Sequence, residues 1–508
     1  MTAAGTSVPS RPSRLTRRPS LAGWRLLRLE LRRSTLLPLL PLLAVLLAFT
    51  ELRNDLSHPP LWPVRSTDLQ VQVELIGAIV AGLAAWTAAR DGRRHVTDLV
   101  TAACWPQWVR QLASWAAVTI WATLFYAACI AVVFLATARQ ATWGGPIWWL
   151  PAVGAAAIVA FSAAGFAFGA FFPGRFTAPL VTVGALFAPQ IGVLATQRNQ
   201  AWGRVSPAVN ATVSGTGTFF PFHPGLSIAQ IVFLAGVIAA ALGVLAWPAA
   251  AGGRRLRRAG AMIALAGLVA AGAGMALAGT SRLEAEGVIV PALHTAASDR
   301  LITYRSACDN SSAVPVCLHP AFRAQLPGLA AYLDPALSQV AGLPGAPVRV
   351  QLSRGTPGDI SGINIGSAGG TSSAISRSIG GPTISGSPPV LYLSPSLLLN
   401  SSVARISQEL GPSVAVTIIQ AVIYGRPAPS PAQRAVEAAL LKAAGLRLQA
   451  VPPGTRLSGN GVPGPAPGSP VSAAANRFAA LPAAARHAWL TAHLAALRAG
   501  RITLAEIA

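Results

Sequence analysis

"RDGRRHVTDLVTAACWPQWVRQ", residues 90–111, is the stretch on which the architecture turns. It lies between two long apolar runs, residues 71–89 and 115–135. Val96, Leu99, Val100 and Ala103 recur at i, i+3, i+4 and i+7, one face of a helix, with His95, Thr97, Asp98 and Thr101 on the other. Pro106 ends that helix, and Trp108, Leu112 and Trp115 lead into the next apolar run. The pattern predicts a short helix lying across the membrane direction, with an arginine cluster in front and a proline turn behind. Two readings fit it. An apolar knob ringed with charge suits docking to a soluble partner; a plain stop-transfer loop uses its arginines only to hold the preceding span.

The surroundings decide what kind of protein carries this loop. Only 11% of the 508 residues are charged, 53% are hydrophobic, and the mean hydropathy is +0.52, which together indicate a membrane protein. A net charge of +23 would suit a nucleic-acid binder if the arginines gathered on a soluble face among aromatics. They sit instead at the ends of oily segments, so nucleic acid is not an expected partner and the lipid bilayer is.

A hydrocarbon layer ~30 Å thick needs roughly 20 mainly apolar residues to cross it. Seven runs qualify, at about 36–50, 71–89, 115–135, 148–172, 178–196, 228–247 and 259–278. The first is the shortest and contains Pro38 and Pro41. It lacks a clear small-x-small cleavage pattern and more spans follow, so it reads as an uncleaved signal-anchor. With the amino terminus inside, the inner segments hold 17 arginines and the outer loops before residue 279 hold five, the asymmetry that retains loops in the cytoplasm. The expected fold is an α-helical polytopic membrane protein of about seven transmembrane helices in the cell membrane, followed by a small α/β or mainly helical extracytoplasmic domain. Residues 1–35 form a cytoplasmic basic tail with an interfacial helix, 36–278 the transmembrane domain, and 279–508 the outer domain. Within "SLAGWRLLRLELRRS", residues 20–34, Leu21, Trp24, Leu27 and Leu31 alternate with Arg25, Arg28, Arg32 and Arg33 at helical spacing. Such a helix can lie among headgroups, or serve only as a basic flank that sets orientation.

The segment "ARDGRRHVTDLVTAACWPQWVRQLASW", residues 89–115, resembles the loop after the second span in permeases of the ABC-2 exporter type. In that family the loop is a coupling helix that enters a groove on the ATPase subunit. The resemblance extends to the amphipathic amino-terminal helix and to the outer segment "QRNQAWGRVSPAVNATVSGTGTFFPFHPGL", residues 197–226, where family members carry re-entrant hairpin helices. It covers about residues 20–250 and is a match of layout plus one loop; a seventh span and a long outer domain depart from it. It implies a permease subunit, homodimeric or heterodimeric, driven by a cytoplasmic ATP-binding-cassette ATPase that contacts Arg90, Arg93, Arg94, Val96, Asp98, Leu99 and Val100. The chain binds no cofactor directly, ATP acting through the partner, and is not itself an enzyme. A Walker loop needs G-x-x-x-x-G-K-[ST], and Lys442, the only lysine, lies in "EAALLKAAGL". Glu74, near the outer end of the second run, is read as an interfacial residue reaching water rather than an ion-coupling site.

In the outer part, "PVRVQL" and "VLYLS" predict strands, and four further stretches at 319–343, 401–425, 430–446 and 473–500 predict helices. "SAGGTSSAISRSIGGPTISGSPP" and "VPPGTRLSGNGVPGPAPGSP" are low-complexity linkers. Cys308 and Cys317 are expected to pair in an oxidising compartment, closing a short loop worth on the order of 3 kcal/mol. A zinc site is the rival reading, with His319 the only obvious further ligand. "VARISQELGPSVA", residues 403–415, is weakly similar to the zinc helix of M1-type aminopeptidases, but Gln408, Glu409 and Pro412 stand at its H-E-x-x-H positions, so no metal or catalysis is implied. The alternative function is therefore a membrane-anchored sensing or binding protein without ATP-driven transport, its outer domain a degenerate peptidase at most.

Overall fold

The computed structural model describes residues 19–48, 59–93, 107–210, 217–249, 254–284, 287–295, 299–352, 383–385, 389–393, 395, 398, 413–424, 429–450 and 462–507. Two helices open this part, α1 (Pro19–Arg32) and the short α2 (Leu40–Leu47). Next come α3 (Trp62–Val71) and α4 (Val73–Ala88), which run on from one another as one apolar rod, Trp62–Ala88. The remaining long helices are α5 (Gln107–Gln140), α6 (Trp149–Phe171), α7 (Thr177–Gln197), α8 (Gly225–Ala249) and α9 (Arg254–Gly279). Six helices among the described residues, the α3–α4 rod and α5 to α9, are long and apolar enough to cross a bilayer, and the chain is a multi-pass membrane protein.

The first expected run differs from the rest. It forms a 3-10 turn, Leu37–Leu39, and then the eight-residue α2. Pro38 and Pro41 stand in the first turns of these two elements, where a missing N–H breaks no helical bond. Leu36, Leu43 and Leu47 are buried in the same core as Val80, Ala84 and Val118. Residues 49–58 lie outside the described residues.

Close backbone approach holds the helices together, as expected where lipid competes equally for apolar surface. On α6, Gly165 and Gly169 face the α4 backbone: a Cβ at either would stand 2.2 Å from the carbonyl oxygen of Ala81 or Ala85. Helices α8 and α9 pack through Gly236, Gly243, Gly260, Gly267 and Gly274, each meeting the backbone or a small side chain of the other helix. The outward faces, with Leu180, Val183 and Phe187 on α7 and Met262, Leu265 and Val269 on α9, are apolar and exposed, and lipid contacts them.

After α9 a hairpin pairs β1 (Arg282–Glu284) with β2 (Gly287–Ile289). A five-stranded mixed sheet follows, built from β3 (Ala307–Asp309), β4 (Val316–Leu318), β5 (Arg349–Leu352), β6 (Thr383–Ser385) and β7 (Val390–Leu393) in the order β3-β4-β5-β7-β6. The two strands expected from "PVRVQL" and "VLYLS", β5 and β7, lie side by side and parallel, with Val350, Leu352, Leu391 and Leu393 inward. Cys308 and Cys317 stand opposite each other across β3 and β4, and their sulfurs are bonded. That bond takes both thiolates from the zinc alternative. Helices α10 (Leu326–Val340), α11 (Ser413–Ile423), α12 (Pro431–Ala443), α13 (Pro470–Ala480) and α14 (Ala483–Arg498) supply the rest of the core; β8 (Leu448–Ala450) and β9 (Val462–Gly464) pair apart from the main sheet. Ser430 and Gln433 form a capping box that starts α12. Gln408, Glu409 and Pro412 lie outside the described residues.

This core does not end at residue 279. Leu61, Phe219 and Phe220, all from segments that adjoin the apolar helices, are buried in it together with Val316, Phe322 and Leu398.

Candidate functional site

Two places combine polar chemistry with a mechanical position. They lie at opposite ends of the helical bundle.

The first is the start of the 90–111 loop. A single helical turn, Arg90–Arg93, follows α4. Arg90 extends to Glu30 of α1, with nitrogen and oxygen 3.6 Å apart. Arg93 folds back two turns: its guanidinium lies 3.7 Å over the Trp86 ring, and Nη2 donates to the Trp86 carbonyl at 2.8 Å. Helix α1 packs on α5, where the Trp121 indole N–H donates to the Leu31 carbonyl at 3.0 Å. A pocket of about 190 Å³, lined by Glu30, Arg33, Thr87, Arg90 and Ser114 among others, lies between α1, α4 and α5. Arg94, Val96, Asp98, Leu99 and Val100 lie outside the described residues. The arrangement ties the amphipathic helix to the root of the loop through one ion pair and to α5 through one indole bond. Glu30 and Trp86 were missed in the sequence, although Glu30 is the only acid of α1 and Trp86 lies seven residues before Arg93, on the same helix face.

The second is the segment between α7 and α8. Asn199, with φ of 58°, ends α7 in the left-handed conformation that asparagine tolerates, and the Gln200 N–H returns to the Ala195 carbonyl. The chain then makes a 3-10 turn, Ala201–Val205, and folds back against α7 at Gly192. Gly192 and Gly203 meet there: a Cβ on Gly203 would stand 2.4 Å from the Gly192 carbonyl oxygen. Residues 205–210 are buried. Buried carbonyls need donors, and two amide side chains provide them. Gln230 Nε2, on α8, lies 2.9, 2.9 and 2.7 Å from the carbonyls of Arg204, Ser206 and Val209, its two hydrogens shared among three acceptors. Gln70 Nε2, on α3, donates to Pro207 and Val209 at 3.0 and 3.2 Å. Ser206 Oγ donates to the Pro189 carbonyl in α7, and Arg204 Nη1 reaches Ser281 beyond α9. The described part of this segment is therefore a buried turn pinned by amides; residues 211–216 lie outside the description. A largely apolar cavity of about 310 Å³ lies behind it, lined by Phe161, Pro189, Trp202, Phe233, Val237 and Met275 among others. Glu74 is half-buried, and its carboxylate accepts from Gln190 Nε2 at 2.6 Å, a protein contact in place of the water expected from sequence.

Beyond the turn, His319 is 1% exposed inside a ring of Tyr304, Trp143 and Phe219, at centroid distances of 4.1, 5.0 and 5.0 Å. Its Nδ1 accepts from the Ala321 N–H at 3.1 Å, so the neutral ring carries its proton on Nε2. Burial pushes its pKa down to about 4. An unfolded histidine, titrating near 6.5, holds its proton through the window in which the folded one does not. The resulting stability is complete above about pH 6.5 and is lost as pH falls towards 4. We expect the thermal transition to lose about 2 kcal/mol of stability between pH 7 and pH 5 from this group, and His319→Asn, which keeps a cap acceptor, to remove that part of the acid sensitivity. An identical pH dependence in wild type and variant would refute the assignment.

No known protein family, curated protein or solved structure matches the chain.

Proposed function

We propose that the protein is the membrane subunit of an ABC-2-like exporter, worked by a separate cytoplasmic ATPase that docks on residues 90–111. The observation that carries this reading is the link of α1 to the loop root, Glu30 to Arg90, together with its bond to α5, Leu31 to Trp121. A force applied to the loop is passed to an amphipathic helix at the bilayer surface and to α4 and α5 together. Seven crossings with a cytoplasmic amino terminus fit the same reading. Helix α1 meets Arg90 at one end of the α3–α4 rod, while Leu61 at the other end joins the carboxyl-terminal core, which supports a further crossing between them. The Cys308–Cys317 bond suits an extracytoplasmic carboxyl-terminal region. ATP is then hydrolysed on the partner, two permease copies form the path, and the amide-pinned turn closes its outer side.

Copurification tests the proposal. In mild detergent an ATP-binding-cassette ATPase follows the wild-type chain, and the double variant Arg94→Glu with Leu99→Asp reduces its recovery at least tenfold without affecting membrane insertion. Equal recovery from both would refute the coupling role.

A second reading is a membrane-anchored binding or sensing protein without ATP-driven transport. The shared core of Leu61, Phe219 and Phe220 with the mixed sheet favours it, because that core mechanically joins the carboxyl-terminal region to the bundle. Under this reading no ATPase copurifies.

A further inference from the structure

Just before α8, the chain passes His223; just after β2, it passes His294 and Asp299. These three side chains each bring one donor atom to a common point, with all three atoms within 4.8 Å of one another. The Nε2 of His294 and Oδ2 of Asp299 are 3.2 Å apart. Two ligands of a tetrahedral zinc ion, at metal distances of roughly 2.0–2.1 Å, are separated by about 3.3 Å, so this pair already has the spacing of one edge of such a site. Among the described residues, the other nitrogen of His294 and the other oxygen of Asp299 are buried without a hydrogen-bond partner. The two rings of His223 and His294 lie 5.4 Å apart at 55°, a tilt that keeps them from stacking.

The backbone holds these segments together independently of any ion. Gly225 allows close approach, since a Cβ there would already lie 3.2 Å from the Val290 Cβ. Leu226, Val288 and Val290 share one buried cluster. The Ile302 N–H donates to the Phe219 carbonyl at 2.8 Å, fixing the stretch after Asp299 against the stretch before His223. The donors are thus brought together by a scaffold that spends little on ordering them.

We propose that His223, His294 and Asp299 form a site for a divalent transition metal, zinc being the ion that best fits its chemistry. Two imidazoles and one carboxylate are borderline donors that suit zinc rather than magnesium or calcium, which take oxygen. The side chains of His294 and Asp299 are 22% and 35% exposed, so the fourth coordination position faces solvent and takes water. One carboxylate leaves the bound ion with a net single positive charge, tolerable at a half-exposed site. The bound ion links the chain leaving the amide-pinned turn to the base of the carboxyl-terminal region, two segments more than seventy residues apart in sequence. This inference does not depend on the exporter reading.

The test uses the full-length protein in detergent, purified through a tag without histidine, treated with chelator and dialysed against zinc. Elemental analysis of the wild type is expected to give about one zinc per chain. His294→Ala and Asp299→Asn are each expected to lower that by at least tenfold. Cobalt in place of zinc gives the strong visible absorption of four-coordinate geometry, bleached when zinc is added. Wild type with no zinc above the chelator-treated control overturns the site. So does zinc retained in full by both variants, which marks an adventitious ion only. Should a variant fail to elute as folded protein, the cobalt spectrum of the wild type decides: absorption of four-coordinate form supports the site, and its absence overturns it.

Discussion

Gly165→Leu is expected to abolish accumulation of folded protein. A Cβ at Gly165 would lie 2.2 Å from the Ala81 carbonyl oxygen and 2.7 Å from Ala81 Cα, both backbone atoms of α4. No rotamer relieves such contact, because the first atom of the side chain already collides; the two helices must separate. Separation opens the whole α4–α6 seam, including Gly169 against Ala85, and within a bilayer little besides packing drives the helices back together. Overpacking of a core typically costs about 1–3 kcal/mol; a collision with backbone at the centre of a helix pair belongs above that range. The control is Gly184→Leu on α7, where nothing stands within 4 Å of the added atom. Detergent extracts analysed by size-exclusion chromatography should show a monodisperse peak for Gly184→Leu and loss of that peak for Gly165→Leu. Equal profiles would mean that α4 and α6 do not meet in this way.

Gln230→Leu is the second change with a large expected effect. It removes the amide donor from three carbonyls, of which Val209 keeps Gln70 and Ser206 keeps the Val209 N–H, while Arg204 loses its donor. Leaving the Arg204 acceptor unsatisfied costs about 1–3 kcal/mol, and the other two carbonyls each lose one of their donors. The turn can avoid that penalty by moving out into water, since it is held at its ends by Asn199 and by the chain towards α8. Release is readable with Ala208→Cys, a position that is fully buried. An impermeant maleimide should label that cysteine at least ten times faster in the Gln230→Leu background, and faster again when Gln70→Leu is added. Unchanged labelling would show that the amides do not hold the turn.

The two amides also mark the limit of what could be read along the chain. Long apolar runs announce themselves through composition alone, which is why the six long helices fall on expected runs. Helix α5 extends eight residues further towards the amino end than the expected run at 115–135, starting directly after Pro106. Strands β5 and β7 and helix α12 fall on expected stretches, and the alternation of the strands and the Ser430–Gln433 box of α12 are both local features. Gln230 is a polar residue inside an expected apolar run and Gln70 directly precedes one, yet their acceptors are main-chain carbonyls, which every sequence possesses at every position. The aromatic ring around His319 draws Trp143, Phe219 and Tyr304 from three separate segments, and the His223–His294–Asp299 group draws on two. Pairings of this kind arise from tertiary folding, and no period or spacing announces them.

Helices α8 and α9 touch glycine to main chain along most of their length, with no layer of pliant side chains between them. A shift of α8 therefore arrives at the far tip of α9 without being absorbed on the way. Just beyond that tip stands Ser281, already gripped by Arg204. The pair acts as a stiff pushrod, and motion begun at one end of the bundle is delivered at the other, next to the β1–β2 hairpin.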